Sequence, residues 1–165
     1  MKKLVLLIAV TLLVFSCASD QVKEETAATP SSDMLLEQSN KQLAKVPYED
    51  FEYGSASVPT HKYDKWATAA APVIKKVLDS LPDGYSLYIV GHTDATVSKK
   101  PKRNYVTNQK LSEMRAKAVY DALRRKGITS NKLKYKGVGT SDPVAGTSPD
   151  DPKNRRVTFE AVKSN

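Results

Sequence analysis

The chain has 165 residues, enough for one domain of ordinary size, and 27% of them are charged while 7% are aromatic. Its formal net charge of +8 at pH 7 favours polyanionic surroundings such as nucleic acid, anionic lipid or a cell-wall polymer, without choosing among them. The single cysteine excludes an intramolecular disulfide and a cysteine-rich zinc site.

The N-terminus has the layout of an export signal. Lys2 and Lys3 precede an apolar run, LVLLIAVTLLVF (4–15). A transmembrane helix needs about 20 apolar residues, so this run fits the core of a signal peptide better than a membrane span. We therefore predict a signal peptide over residues 1–16, and an uncleaved membrane anchor is the alternative.

The only cysteine, Cys17, follows this signal directly. VFSC (14–17) resembles the lipobox of bacterial lipoproteins, although Phe15 replaces the small residue that is usual there. The resemblance implies a mature chain that begins at Cys17 and is held on a membrane by two or three acyl chains, which anchor stably where one chain would not. Ala18 stands where lipoproteins of the inner membrane often carry aspartate, which favours the outer membrane.

Residues 17–46 are polar and lack a sustained core pattern, so they are predicted to form a flexible tether. A coil of about 30 residues has an end-to-end distance of about 30 Å. Four apolar residues in this segment could form a short amphipathic helix: Met34, Leu35, Leu36 and Leu43.

From Pro47 to the end of the chain the pattern is that of a folded domain, 47–165. YEDFEY (48–53) alternates and predicts a first strand. A helix is expected next, with Thr60 as its N-cap and apolar residues at helical spacing as far as Leu81. Pro72 lies inside this helix and predicts a kink or a split into two helices.

A central strand, YSLYIV (85–90), follows the turn after that helix. A second helix is expected from about Asn104 to Lys126, with Gly127 as its stop. Two more strands, LKYKGV (133–138) and RVTFEAV (156–162), flank a long loop that contains three prolines and two glycines. The order β-α-β-α-β-β predicts an α/β (α+β) domain of two layers, in which helices cover a mixed sheet.

The residue pattern argues against catalysis and against a metal or other cofactor. The chain has two histidines, no HExxH motif, no GxSxG elbow and no glycine-rich phosphate loop. Asp94 lacks an evident partner carboxylate for glycoside hydrolysis. The basic segments SKKPKR (98–103) and KNRRV (153–157) could contact phosphates, but the export signal removes the domain from nucleic acid.

A binding function is the remaining possibility, and six motifs in the sequence resemble those of a known family of binding domains. They are FEYGSA (51–56), GHTD (91–94), NQKLSEMRA (108–116), GI (127–128), GVG (137–139) and NRRV (154–157). In this order and spacing they resemble the OmpA-like C-terminal domain, the peptidoglycan-binding module of outer-membrane proteins and of peptidoglycan-associated lipoproteins. The resemblance covers residues 51–162, and the lipobox and tether complete a layout similar to that of a peptidoglycan-associated lipoprotein.

The resemblance implies a ligand, the stem peptide of peptidoglycan, held at its diaminopimelate residue. The acidic and basic residues of the family fall on Asp94 and Arg115, which would meet the ammonium and the carboxylate of that residue. Thr93 belongs to the turn that presents Asp94, Asn108 would order the neighbouring loop or touch the peptide, and Arg155 would orient Asp94. The alternatives are an internal Asp94–Arg115 salt bridge without ligand and a surface ion pair at Arg155.

Two positions depart from the family pattern. Fourteen residues separate Asp94 from Asn108, where the family has about eight with a glycine soon after the aspartate, and the extra residues coincide with SKKPKR. Gly54 stands where the family often has Asp or Asn. We therefore expect a remodelled loop beside the pocket, in which the basic segment 98–103 steers the domain towards acidic wall polymers.

The predicted function is that of a non-enzymatic lipoprotein on the periplasmic face of the outer membrane, which binds peptidoglycan and tethers the membrane to the wall. Its partners would be peptidoglycan and, through the lipid anchor, the outer membrane. The alternatives are a hub that binds other envelope proteins, with wall contact secondary, and a wall hydrolase.

Overall fold

The computed structural model describes residues 31–96 and 106–164. Cys17, the predicted signal peptide and the basic segment 98–103 lie outside the described residues. Six helices and strands and one 3-10 turn follow each other along the described chain: α1 (Ser32–Leu43), α2 (Thr60–Ser80), β1 (Tyr85–Gly91), α3 (Asn108–Arg125), β2 (Leu133–Gly137), a 3-10 turn (Pro152–Asn154) and β3 (Val157–Lys163). Within these described ranges no helix has both the length and the apolar character needed to cross a membrane.

The three strands form a mixed sheet in the order β2-β1-β3, which confirms the predicted fold class. β1 is parallel to β2 and antiparallel to β3, with Ile89 opposite Phe159 in the antiparallel register. The core lies between this sheet and the helices, where Ile89 packs in one cluster with Ile74 of α2 and Val119 of α3. β1 is thus the central, buried strand, as its apolar sequence predicts.

The predicted strand at 48–53 is wrong. Only Tyr48 pairs with the sheet, through an isolated antiparallel bridge in which it exchanges two backbone hydrogen bonds of 2.9 and 2.7 Å with Val157. Tyr48 and Phe51 are the buried residues of the segment, and this spacing of three does not follow the alternation of a strand. The carbonyls of Phe51 and Glu52 accept hydrogen bonds from arginine side chains instead of a neighbouring strand.

α2 is one helix of 21 residues that continues through Pro72, so of the two predicted effects, a kink or a split, the split is wrong. Ala70 and Ile74, on either side of the proline, are fully buried, and this packing offsets the hydrogen bond that the proline cannot make. The N-cap position is occupied by Pro59, which makes no side-chain capping bond, and Thr60 is the first helical residue rather than the cap.

α3 begins at Asn108, later than predicted, because Thr107 provides the N-cap: its hydroxyl accepts a hydrogen bond of 3.2 Å from the backbone N–H of Lys110. Asn104 lies outside the described residues. At the other end Gly127 has φ +85°, a left-handed conformation that glycine adopts without strain, so the predicted stop is confirmed.

Two glycines let α3 lie directly on the ends of β1 and β2. A Cβ atom on Gly91 would lie 1.9 Å from the carbonyl oxygen of Ser112, and one on Gly137 would lie 2.4 Å from the backbone nitrogen of Glu113. No side chain fits at these distances. The close approach carries Arg115, the next turn of α3, over the end of the central strand.

α1 lies in the segment predicted to be a flexible tether, but the structure packs it on the domain. Leu43 is fully buried, and the side chain of Asn40 binds the backbone of Ala161 on the edge strand β3. Its amide donates to the Ala161 carbonyl (3.1 Å) and its oxygen accepts from the Ala161 N–H (2.8 Å). Asn40 thus makes the pair of backbone hydrogen bonds that a neighbouring strand would make, and α1 packs on the domain that was predicted to begin at residue 47.

Candidate functional site

The GHTD motif leaves the end of β1 as a turn that is held by its backbone. Two of its N–H groups and that of the next residue donate to carbonyls of other segments: His92 to Arg156 (2.9 Å), Thr93 to Gly139 (2.9 Å) and Ala95 to Pro149 (2.8 Å). Three separate parts of the C-terminal half therefore fix the position of Asp94, the residue that this turn presents. Such preorganisation is what a precise polar site requires.

The Asp94 carboxylate is nearly buried and paired with a positive charge. Its side chain is 7% exposed, and Oδ2 accepts a hydrogen bond of 2.8 Å from Nη1 of Arg155 and one of 3.2 Å from the Thr96 hydroxyl. The Nε of Arg155 donates to the carbonyl of Phe51 (3.0 Å), which holds the guanidinium in place. The structure thus brings Asp94 and Arg155 into direct contact.

Arg115 is fully buried and held by three backbone carbonyls. Its Nε donates to Ser55 (2.9 Å), Nη1 to His92 (2.9 Å) and Nη2 to Glu52 (3.1 Å). The guanidinium also lies 5.0 Å from the ring centroid of Phe51, in a cation–π contact. Three of its five N–H groups therefore fasten the 51–56 segment to the end of β1, a role for which sequence reasoning gave no signal.

The site carries more positive than negative charge. Burial lowers the pKa of Arg115 to about 10, an effect that the Asp94 charge opposes and the Arg155 charge reinforces. Arg115 therefore remains protonated at neutral pH. The trio consists of one carboxylate and two guanidinium groups, so its net charge is +1, which favours a further anionic group.

Two other predicted residues lie on the elements that carry this trio, the GHTD turn and α3. Thr93 is 3% exposed, and its hydroxyl finds no hydrogen-bond partner within residues 31–96 and 106–164. Asn108 is the first residue of α3 and is half-buried, while its neighbour Gln109 donates a hydrogen bond of 2.7 Å to the Gly137 carbonyl. The N-terminus of α3 is thereby tied to the end of β2.

Asn154 is a structural organiser of the site that residue-by-residue reasoning missed. It is fully buried, its Oδ1 accepts from the Val144 N–H (2.8 Å), and its Nδ2 donates to the carbonyls of Ser148 (2.9 Å) and Pro149 (3.2 Å). These bonds fold the proline-rich loop so that Pro149 can hold Ala95, next to Asp94. The asparagine of the NRRV motif was the sequence feature that could have indicated this role.

Ser112 has a comparable role on the other side of the site. Its hydroxyl donates to the carbonyl of Gln109 (2.8 Å) and accepts from the N–H of Gly139 (2.9 Å). It therefore joins α3 to the loop after β2, and the serine of the NQKLSEMRA motif was the signal for it.

His92 is part of the scaffold. Its Nε2 lies 2.9 Å from the hydroxyl of Thr158, and its Nδ1 lies 3.5 Å from the carboxylate of Asp142. Burial and the nearby Arg156 lower the pKa of His92 to about 4, so the ring is neutral at neutral pH. In the described part of the chain, no three His, Cys, Asp or Glu side chains are grouped to hold a metal ion.

Similar sequences are found among outer-membrane proteins. Outer membrane protein A of Klebsiella aerogenes is 40% identical over 81 residues, which are 49% of this chain and 21% of that protein. The same protein of Serratia marcescens is 42% identical over 67 residues, 41% of this chain and 17% of that protein. The chain thus matches only about a fifth of the length of these relatives.

Solved structures share the fold. The OmpA-like domain of FopA1 from Francisella tularensis is 29% identical with a TM-score of 0.51, and the match covers 72% of each chain. The peptidoglycan-associated lipoprotein of Burkholderia pseudomallei is 25% identical with a TM-score of 0.54, over 78% of this chain and 99% of that one. A periplasmic domain of MotB from Helicobacter pylori has a TM-score of 0.53 at 22% identity, over 72% of each chain, which shows a common fold alone.

The family model that matches this chain is that of the OmpA family, and the match covers residues 51–156. These residues include every element from the segment before α2 to the start of β3, with the Asp94, Arg115 and Arg155 trio inside. The chain belongs to the OmpA family.

Proposed function

We propose that this chain binds peptidoglycan non-covalently at its stem peptide, without enzymatic activity, and tethers the outer membrane to the cell wall. Asp94 meets the ammonium and Arg115 the carboxylate of a diaminopimelate-type residue. Thr93, Asn108 and Arg155 complete the site, and lipidated Cys17 holds the other end of the chain in the membrane.

The observation that carries the proposal is the buried charge trio at the end of β1. A zwitterionic side-chain end is small, so its recognition depends on charges of both signs that are fixed and partly desolvated. Asp94 is 7% exposed, it contacts the guanidinium of Arg155, and its charge also acts on Arg115. Membership of the OmpA family and similarity to a peptidoglycan-associated lipoprotein support the choice of ligand.

The geometry of Arg115 defines how it would act. Its contacts with three carbonyls leave two N–H groups, one on each terminal nitrogen, which the proposal assigns to the ligand carboxylate. Arg155, with a side chain that is 19% exposed, supplies a second guanidinium, which lies beside the carboxylate of Asp94. The hydroxyl of Thr93 would gain a partner when the ligand is bound.

Weak binding at each site is sufficient for such a tether. The wall offers many stem peptides, and an anchored domain stays near them, so the effective concentration is high. Anchoring at Cys17 places the chain on the periplasmic face of the outer membrane, where the wall lies.

The test is co-sedimentation of the protein with purified sacculi. Asp94→Asn keeps the shape of the side chain but removes its charge, and we expect it to weaken binding at least thirtyfold, the equivalent of about 2 kcal/mol for one partner of a buried charge pair. Asp79→Asn is the matched control, because Asp79 is exposed and forms only an i,i+4 pair with Lys75. If Asp94→Asn sediments like the wild type, the proposed site is wrong.

A further inference from the structure

A second groove lies between the segment that follows α1 and the first three turns of α2. It has a volume of about 650 Å³, and all its lining residues belong to the described chain: Pro47, Tyr48, Glu49, Asp50, Lys62, Lys65, Trp66 and Ala69. The charge trio has no member here. A volume of this order is typical of a site for a small ligand or a short stretch of polymer.

The inner wall of the groove is aromatic and rigid. Trp66 is the only tryptophan of the chain, and its indole N–H donates a hydrogen bond of 3.1 Å to the carbonyl of Pro47. The indole also stacks on Phe159, with 5.9 Å between ring centroids and 14° between ring planes. Trp66 is half-buried, so part of this fixed ring remains accessible.

Tyr48 also lines the groove, and its hydroxyl is a buried polar group. The residue is 4% exposed, and its hydroxyl finds no hydrogen-bond partner in residues 31–96 or 106–164. Burial, with the neighbouring charge of Asp50, raises the pKa of Tyr48 to about 12, so the hydroxyl keeps its proton and can donate. A buried hydroxyl without a partner costs about 1–3 kcal/mol, which a ligand oxygen would recover.

The rim of the groove is polar and electrically balanced. Asp50 and Lys62 form an ion pair of 2.8 Å in which both side chains are about half exposed, and Glu49 and Lys65 are also exposed. Two carboxylates and two ammonium groups give no net charge. This balance favours a neutral ligand rich in hydroxyl and amide groups over a polyanion.

We propose that this groove binds amino-sugar units of a glycan strand, a β-linked chain of N-acetylhexosamines. A sugar ring combines an apolar C–H face, which an indole accommodates, with hydroxyl and acetamido groups that the Tyr48 hydroxyl and the charged rim can bind. The assignment rests on the proposed function, since glycan and stem peptide are then two parts of one polymer.

The path of the chain connects the two sites. Asp50 on the groove is followed by Phe51, whose carbonyl holds Arg155, the partner of Asp94. Three residues of an extended stem peptide span roughly 10 Å, so a peptide held at Asp94 keeps its glycan near the surface of the domain. The two sites would therefore hold one wall fragment at two points.

The test uses Trp66 as a built-in fluorescent reporter in the full chain, titrated with chitotetraose, the β-1,4-linked tetramer of N-acetylglucosamine. We expect a saturable change in emission, and a dissociation constant about tenfold higher in Tyr48→Phe, which loses only the hydroxyl. Asp50→Asn, at an exposed position, should weaken binding without affecting folding. Tyr53→Phe is the control, because Tyr53 is 49% exposed and does not line the groove.

The outcomes separate this assignment from the proposed function. The glycan site is overturned if the emission of the wild type shows no saturable change. It is also overturned if Tyr48→Phe and Asp50→Asn both bind chitotetraose with the dissociation constant of the wild type. Asp94→Asn should still titrate with chitotetraose like the wild type while it sediments more weakly with sacculi. If the wild type titrates with chitotetraose and Asp94→Asn sediments with sacculi like the wild type, the stem-peptide proposal fails and the glycan site stands.

Discussion

Replacing Arg115 by lysine should separate the architectural role of this residue from its charge. Lysine keeps the positive charge but lacks the planar fork that reaches three carbonyls, those of Glu52, Ser55 and His92. A hydrogen bond from a charged donor contributes about 1.5–3 kcal/mol, and a single ammonium cannot occupy the positions of all three nitrogens. With two of the bonds lost, we expect the free energy of unfolding to fall by about 3–5 kcal/mol, a large part of the 5–15 kcal/mol typical of a domain.

Urea unfolding followed by circular dichroism measures this loss. An m-value of about 1.5 kcal/mol/M converts a loss of 3 kcal/mol into a midpoint about 2 M lower. Arg124→Lys is the matched control, since Arg124 lies on the same helix and is exposed. A loss in Arg115→Lys below about 0.5 kcal/mol would show that the carbonyl contacts do not hold the 51–56 segment.

Two further predictions concern the strand end. Gly91→Ala places a Cβ 1.9 Å from the carbonyl of Ser112, so α3 must move, and we expect a loss of about 3 kcal/mol in the same assay; a change under 0.5 kcal/mol contradicts the close contact. His92 should make stability fall in acid. Burial lowers the pKa of His92 from 6.5 to about 4, so as the pH falls the unfolded chain binds this proton before the folded chain does. The free energy of unfolding therefore keeps its full value above pH 6.5 and falls by roughly 3 kcal/mol as the pH approaches 4. His92→Gln should flatten this decline, and an unchanged slope would assign it to other groups.

The regular elements were predictable where the sequence has a clear period. The apolar spacing of α2 and α3 and the apolar run of β1 gave helices and a central strand in the right order. The segment 48–53 was wrongly predicted as a strand because Tyr48 and Phe51 are buried by aromatic packing, with their ring centroids 5.1 Å apart. Its carbonyls also accept hydrogen bonds from arginines that lie 60 or more residues away in the sequence. No local pattern records such long-range bonds.

The charged residues of the site were visible in the motifs, but their connections were not. GHTD and NRRV pointed to Asp94 and Arg155, and the fold places them 2.8 Å apart. Arg115 was expected to meet the carboxylate of a ligand, and the sequence did not show that its fully buried side chain binds three carbonyls of two distant segments. The number of hydrogen bonds that a buried arginine makes depends on tertiary packing, which a spacing pattern does not contain.

The docking of α1 changes the mechanical reach of a chain anchored at Cys17. A tether that ran to residue 46 would have 29 residues after the cysteine (18–46) and could extend to roughly 100 Å. With Asn40 and Leu43 fixed on the domain, only 14 residues (18–31) precede the helix, and their limit is roughly 50 Å. In a chain anchored at Cys17 as proposed, the Asn40 contact would therefore limit the distance between membrane and wall that the protein could bridge with α1 docked.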